Sequence, residues 1–361
     1  GAYAGYEADD YQQGDNGRGA GVYMFDALNG DLLWWASNKA TTSSTTTNSG
    51  TIELNDPDLK YSVVSEITTA DRDSDGLIDH LYFGDLGGQV FRIDLNNKAA
   101  TKGIFAKKPR RILDLSQIDG KAPRFYEAPA FSIYDVEGKT FAVISIGSGN
   151  RSVPLSDYTV GASGRNYDSV YNIYDKDVTN SELYTMADSK FQTQNINLKH
   201  ATASLKEITD TNRFGISNYK NLAAPYSTNG WYYKYQSQKI QSEKVFSTPI
   251  VINNDMYIST FDGSKDGLSG DCGAGVKGES FLTKFCMPYG QCSQAGQASD
   301  YRLNLGAGIT GGTIGAGDSG TTRLVVANVD TTNITGGSAI IGARYNTKMK
   351  LVVQRWYEKY K

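Results

Sequence analysis

Apolar and polar residues alternate with a period of two along much of the chain, the period of a strand with one buried face. Gly21 to Ser37 (GVYMFDALNGDLLWWAS) alternates on both sides of Asn29-Gly30, a dipeptide suited to the positive φ angles of a tight hairpin. His80 to Asn97 repeats the design around Gly87-Gly88, and Glu243 to Gly263 repeats it around Asn253-Asn254. Lys139 to Arg151 and Ser169 to Asp175 form a further pair across a long polar loop. Arg323 to Asn333 and Lys350 to Tyr360 supply the last predicted strands. No stretch carries the 3.6-residue period of a long amphipathic helix. The early units also share a layout: an apolar strand, a turn with Gly or Asn, then a strand ending on an aromatic or Ile followed by Asp, as in MFDALNG, RIDLNN and NIYD. Such units cannot bury their apolar faces alone. They predict an all-β fold of sheets stacked as the blades of a β-propeller, with residues 1–361 as a single domain. A β-sandwich, or two separate β domains, is the competing architecture.

Three segments interrupt the pattern and read as loop insertions. Residues 41–48 (TTSSTTTN) are a polar low-complexity run. Residues 181–223 are mixed and leave room for a short helix over Ala201 to Ile208. Residues 263–300 are Gly-rich, read as strand-free, and hold the three cysteines, Cys272, Cys286 and Cys292. CxxC spacing is absent and neither histidine lies nearby, which argues against zinc. One local disulfide is expected, with the third thiol free or paired elsewhere; it would pin the loop and suits an exported protein. The opening GAYAGYEADD reads as that of a mature fragment whose targeting segment lies elsewhere.

Composition narrows the partners. A net charge of −3 gives no basic footprint, so nucleic acid is not expected to bind. The 39 glycines against 8 prolines fit many short strands and turns, and 11% aromatic residues argue against disorder. No apolar run is long enough to span a bilayer as a helix.

The densest chemistry lies in TTADRDSDGLIDHLYFGDLGG, Thr68 to Gly88. Asp71, Asp73 and Asp75 occupy the first, third and fifth positions of a calcium-loop spacing, and Gly76 stands where such a loop turns sharply. Leu77 would offer its backbone carbonyl, and Asp79 takes the ninth position. Without a cation these carboxylates repel one another at short range, and hard oxygen donors in irregular geometry select Ca²⁺. The twelfth position, a bidentate Glu in the helical form of the loop, is Tyr82, and the flanks YSVVSEITT and HLYFG read as strands. A loop set between strands, with water in place of that Glu, predicts an affinity suited to extracellular calcium. A solvated acidic turn is the simpler alternative.

Other candidate chemistry is thin. GSGNRSVP (Gly147 to Pro154) lacks the Lys-Ser/Thr ending of a phosphate loop, and GAGVKG (Gly273 to Gly278) and GAGITGG (Gly306 to Gly312) read as turns. His80 is expected to begin a strand as an ordinary surface residue, and His200 has no visible partner, so triad or metal-hydrolase chemistry has little support. Trp34-Trp35, Trp231-Tyr232-Tyr233 and Trp356-Tyr357 are read as packing residues, with carbohydrate stacking the minority option.

These segments together resemble the PilC/PilY family, the tip-associated adhesins and biogenesis factors of bacterial type IV pili. DRDSDGLIDHLYFGDLGGQVFRIDL resembles its calcium loop and following blade, and GAGVYMFDALNGDLLWW its Asp-Ala-x-x-Gly blade. ISIGSGNR, YNIYD, GWYYKY, EKVFSTPIVINNDMYISTFDG and GAGITGG match further segments in order, so the resemblance runs from about Gly5 to about Gly312. It implies a modified, roughly seven-bladed propeller with long inserted loops, incomplete in this fragment. It also implies Ca²⁺ held by Asp71, Asp73, Asp75, the Leu77 carbonyl and Asp79. The implied role is non-enzymatic: calcium-dependent control of pilus extension and retraction (twitching motility) and attachment to host cells or surfaces, contributing to virulence. Minor pilins, the pilus machinery and a host-cell or surface receptor would be partners, outside the cell at the pilus tip and peripherally associated with the outer membrane. Two rivals remain: a quinoprotein dehydrogenase, whose propeller blades FDALNGDLLWW also fits, and a lectin-like structural propeller.

Overall fold

The computed structural model describes residues 19–40, 51–97, 99, 105–107, 109–116, 122–160, 167–179, 205–216, 228–267, 275–316, 321–326, 336–341 and 343–346, and these contain no α-helix. The first sheet holds β1 (Val22–Phe25), β2 (Leu32–Ser37) and β3 (Ile52–Asn55), with β3 parallel to β2. The second is the antiparallel meander β4 (Thr68–Ala70), β5 (His80–Gly84), β6 (Gln89–Asp94) and β7 (Arg110–Asp114). The third contains β8 (Ala130–Val136), β9 (Lys139–Gly147), β11 (Ser169–Asp175), β12 (Lys206–Glu207) and β13 (Gly230–Lys234), in the order β12-β13-β11-β9-β8. A ribbon of β10 (Tyr158–Thr159) and β14 (Ile240–Gln241) lies apart from it. The fourth is built from β15 (Glu243–Val245), β16 (Ile250–Ile252), β17 (Asp255–Asp262), β18 (Glu279–Cys286) and β19 (Arg302–Ala307). The fifth joins β20 (Gly312–Ala316), β21 (Thr321–Val326) and β22 (Arg344–Asn346).

The sheets stack face to face in chain order, the arrangement a propeller requires. Every residue of β5 and β6 is buried, because each of their two faces meets a neighbouring sheet. Leu81, Phe83, Phe91 and Ile93 pack with Val22, Trp34 and Ile52 of the first sheet. The alternate residues Tyr82 and Val90 pack with Ile144, Ile146, Tyr171 and Ile173 of the third. On its far side the third sheet contributes Phe141, Val143 and Trp231 to a core shared with Met256, Ile258 and Phe285 of the fourth. The fourth in turn places Tyr257, Leu282 and Leu303 against Tyr345. Approach between the second and third sheets is close enough that a Cβ on Gly84 would sit 2.6 Å from Phe125 and 2.8 Å from Ile146. The fold is therefore all-β and propeller-like, as the alternation predicts.

Local turn chemistry accounts for the hairpins. Gly30, Gly88 and Asn253 adopt φ of 79°, 83° and 53°, at the three turns expected from sequence. Strand-terminal aspartates repeat a second device: Asp26, Asp85, Asp175 and Asp262 each accept the backbone N–H two residues on, closing an Asx turn.

Several expectations are corrected. Glu279–Cys286 lies within the 263–300 segment read as strand-free, yet it is β18, central to the fourth sheet and antiparallel to both β17 and β19. Of the helix expected over Ala201 to Ile208, the described part, 205–208, contains a strand, β12, because Lys206 and Glu207 pair in parallel with Trp231 and Tyr232. YSVVSEITT contributes strand only at its last two residues, Thr68 and Thr69, where β4 begins. A local disulfide is present, Cys286–Cys292, closing the turn after β18. Residues 41–48, 181–204 and 217–223, Cys272, His200, Lys350 to Tyr360 and Trp356-Tyr357 lie outside the described residues.

Asp85 in the β5–β6 turn gives a pH prediction. Its carboxylate accepts the N–H groups of Gly87 and Gln89 (2.9 Å each) and the Gln89 side-chain amide (2.8 Å). Burial nevertheless pushes it up to about 7, the hydrogen bonds only partly offsetting that cost. A folded-state value above the unfolded one means that its contribution favours the fold fully below about pH 4 and is lost as pH rises through about 7. Thermal unfolding from pH 5 to 8 is expected to show wild type losing stability relative to Asp85→Asn toward pH 8; parallel profiles would contradict this.

Candidate metal centre

The nine residues from Asp71 to Asp79 close the β4–β5 hairpin. Ala70 pairs with His80, and the Asp79 N–H donates to the Ala70 carbonyl at 2.9 Å, so the loop leaves and re-enters the sheet at one point. Two residues in the left-handed region, Ser74 (φ 61°) and Gly76 (φ 90°), fold the backbone back on itself. Asp71 accepts the N–H groups of Ser74 (2.7 Å) and Gly76 (2.8 Å). Asp79 accepts the Arg72 N–H at 3.0 Å, with the Arg72 Nε 3.7 Å away. Asn97, just past β6, donates its side-chain amide to the Ile78 carbonyl (2.8 Å) and to Asp79 (3.4 Å).

Carboxylate oxygens of Asp71, Asp73 and Asp79 lie within 4.8 Å of one another. Two oxygens bound to one calcium at about 2.4 Å can be at most about 4.8 Å apart, so the three fit a single hard cation. Asp75 stands outside this trio: it is exposed, and its carboxylate accepts the Leu77 N–H at 2.9 Å. The Leu77 side chain is 49% exposed. Of the four predicted carboxylates, the structure brings three together and gives the fourth to the turn.

Directly behind the loop lies a group of buried charges that sequence reasoning missed. His80 does begin β5, but as a fully buried residue rather than a surface one, with its Nδ1 2.8 Å from Asp94. The inward face of β5 explains it, since His80 and Tyr82 point to the third sheet together. Arg92 on β6 lies between two carboxylates. Its Nε is 2.8 Å from Asp94, and its Nη1 lies 2.6 and 2.7 Å from the two oxygens of Asp175 on β11. Tyr82 donates its hydroxyl to Asp175 at 2.9 Å. Burial by itself would lower the Arg92 pKa and raise that of Asp94, but Asp175 and Asp94 outweigh it for Arg92, and Arg92 with the His80 hydrogen bond outweighs it for Asp94: Arg92 is held well above its usual range and Asp94 well below. Asp177, 3.9 Å from Arg92, is pushed up to about 6, chiefly by burial. The signal for this group was the strand-ending Asp of RIDLNN and NIYD, which marks Asp94 and Asp175.

The aromatic clusters are mainly packing: Trp34 and Trp231 are buried. Trp35 is half-buried, with its ring 5.8 Å from Tyr23 and nearly parallel to it. No protein-family model matches the sequence, and no curated protein does. Among solved structures, the chain is similar to the PilY1 C-terminal domain of Pseudomonas aeruginosa, with a TM-score of 0.51 and 12% identity over 88% of this chain and 66% of that one. The chain thus spans just under two thirds of that solved domain, and what the likeness shows is the fold: an all-β, propeller-like arrangement of sheets like that of the PilY1 domain.

Proposed function

We propose that this domain is a calcium-binding, non-enzymatic component of a type IV pilus system, acting outside the cell in pilus biogenesis and surface attachment. The observation that carries the reading is the convergence of Asp71, Asp73 and Asp79 in a strand-to-strand loop, on a fold shared with the PilY1 C-terminal domain. Bound calcium would supply the positive charge that three converging carboxylates lack, fixing the entry to β5. The Asp75 carboxylate and the Leu77 carbonyl would shape the turn around the ion or complete its shell. Minor pilins and the pilus machinery are the partners of this reading, together with a host-cell or surface receptor and peripheral contact with the outer membrane at the pilus tip.

A strain carrying Asp71→Ala/Asp73→Ala in the full-length protein is expected to export the protein normally and to lose calcium-dependent twitching and attachment. Unaltered piliation, twitching and attachment across a range of calcium concentrations would sink the reading. A lectin-like role draws on the exposed rings beside Trp35: Tyr23 is 39% and Phe25 58% exposed, and the three lie side by side on one face of the first sheet.

A further inference from the structure

We propose that cation occupancy of the Asp71–Asp79 loop is coupled to the seam between the second and third sheets: binding tightens the seam, and an intact seam strengthens binding. The inference rests on the calcium reading of the loop and adds a partner element to it.

Asp79 belongs to the loop and to the sheet at once. Its N–H donates to the Ala70 carbonyl (2.9 Å), and its carbonyl accepts the Leu95 N–H (2.8 Å), so its position is shared with the end of β4 and the residue after β6. His80 follows directly, and with Tyr82 two residues on it faces the third sheet. From these residues an unbroken chain of contacts crosses the seam: His80 to Asp94, Asp94 to Arg92, Arg92 to Asp175, and Asp175 back to Tyr82. Tyr82, His80 and Arg92 have no solvent exposure, Asp94 1% and Asp175 4%, so these contacts are made in a low-dielectric interior where each is sensitive to displacement. Repulsion within the loop gives the coupling its sign. The seam itself has its carboxylates matched: Arg92 is paired with Asp94 and Asp175, and Arg110 adds a second guanidinium that acts on Asp94 and Asp177. An empty loop adds three converging carboxylates at the next turn of chain, and repulsion among them favours moving Asp79 outward, dragging the first residues of β5. A divalent cation removes that repulsion and lets β5 keep the position that the seam contacts need. Coupling between two sites is reciprocal, so loosening the seam must cost cation affinity.

The test combines hydrogen exchange with calorimetry on the whole chain. With 5 mM calcium chloride, about fiftyfold over a site of Kd near 0.1 mM or fivefold over one near 1 mM, amides of the loop and those of Ser169–Asp175 in the adjacent sheet are expected to slow together, the latter at least threefold. Tyr82→Phe removes only the hydroxyl bound to Asp175. It is expected to keep the fold and the loop protection, to lose the added protection at Ser169–Asp175, and to bind calcium at least threefold more weakly; Asp175→Asn should act in the same direction. Protection confined to the loop, or unchanged calcium affinity in both variants, overturns the coupling alone. No calcium-dependent protection anywhere overturns the calcium reading with it.

Discussion

Replacing Arg92 with methionine is expected to lower the unfolding free energy by about 3 to 5 kcal/mol, the usual cost of removing one partner from a buried ionic group. The reason is desolvation rather than lost attraction. Arg92 has no exposed surface and is the cation to which both Asp94 and Asp175 are paired. Methionine fills a similar volume but leaves two carboxylates buried at the seam without that partner. Urea denaturation followed by circular dichroism checks the value. If the loss is desolvation, Arg92→Met/Asp175→Leu should recover a substantial part of it, because the apolar pair no longer strands a charge. A single-variant loss below about 1 kcal/mol would mean that the seam does not depend on this group.

A comparable loss, about 3 to 5 kcal/mol, is expected for Trp231→Ala. Trp231 is fully buried in the core between the third and fourth sheets, its ring 5.5 Å from that of Phe285. Its indole N–H donates to the Pro288 carbonyl at 2.8 Å, inside the turn closed by the Cys286–Cys292 disulfide. Gly290 lies under the same ring, where a Cβ would come within 2.9 Å of it. Alanine therefore opens a cavity and removes one of two hydrogen bonds that hold the Pro288 carbonyl against the third sheet, the other coming from the Tyr174 hydroxyl at 3.0 Å. The same denaturation experiment measures it, and proteolysis is expected to cut the 287–291 turn faster in the variant. Near-wild-type stability would show that the two sheets do not share this core.

The hairpins were legible because their determinants are local. Asn29-Gly30, Gly87-Gly88 and Asn253-Asn254 each announce a turn whose positive φ the structure contains. The β8–β9 turn, Glu137-Gly138 with φ of 55° and 72°, has the same geometry without the same signal, because Glu is an unusual first residue there. β18 differs: SFLTKFC lies between the Gly-rich GAGVKGE and the turn MPYG, and its pairing with β17 and β19 makes it a strand. In the loop, spacing placed Asp71, Asp73 and Asp79 together but could not show that Asp75 would turn toward the Leu77 N–H. Nor could it show the ionic seam, since Arg92 and Asp175 are 83 residues apart and meet only when the sheets stack.

Calorimetric titration of the domain with calcium addresses the central claim most directly. The expected result is one ion per chain with a dissociation constant on the order of 10⁻⁴ to 10⁻³ M, in the range of extracellular modules, and no binding heat in Asp71→Ala/Asp73→Ala. An absence of heat from the wild-type domain at millimolar calcium, or undiminished binding in the variant, would contradict it.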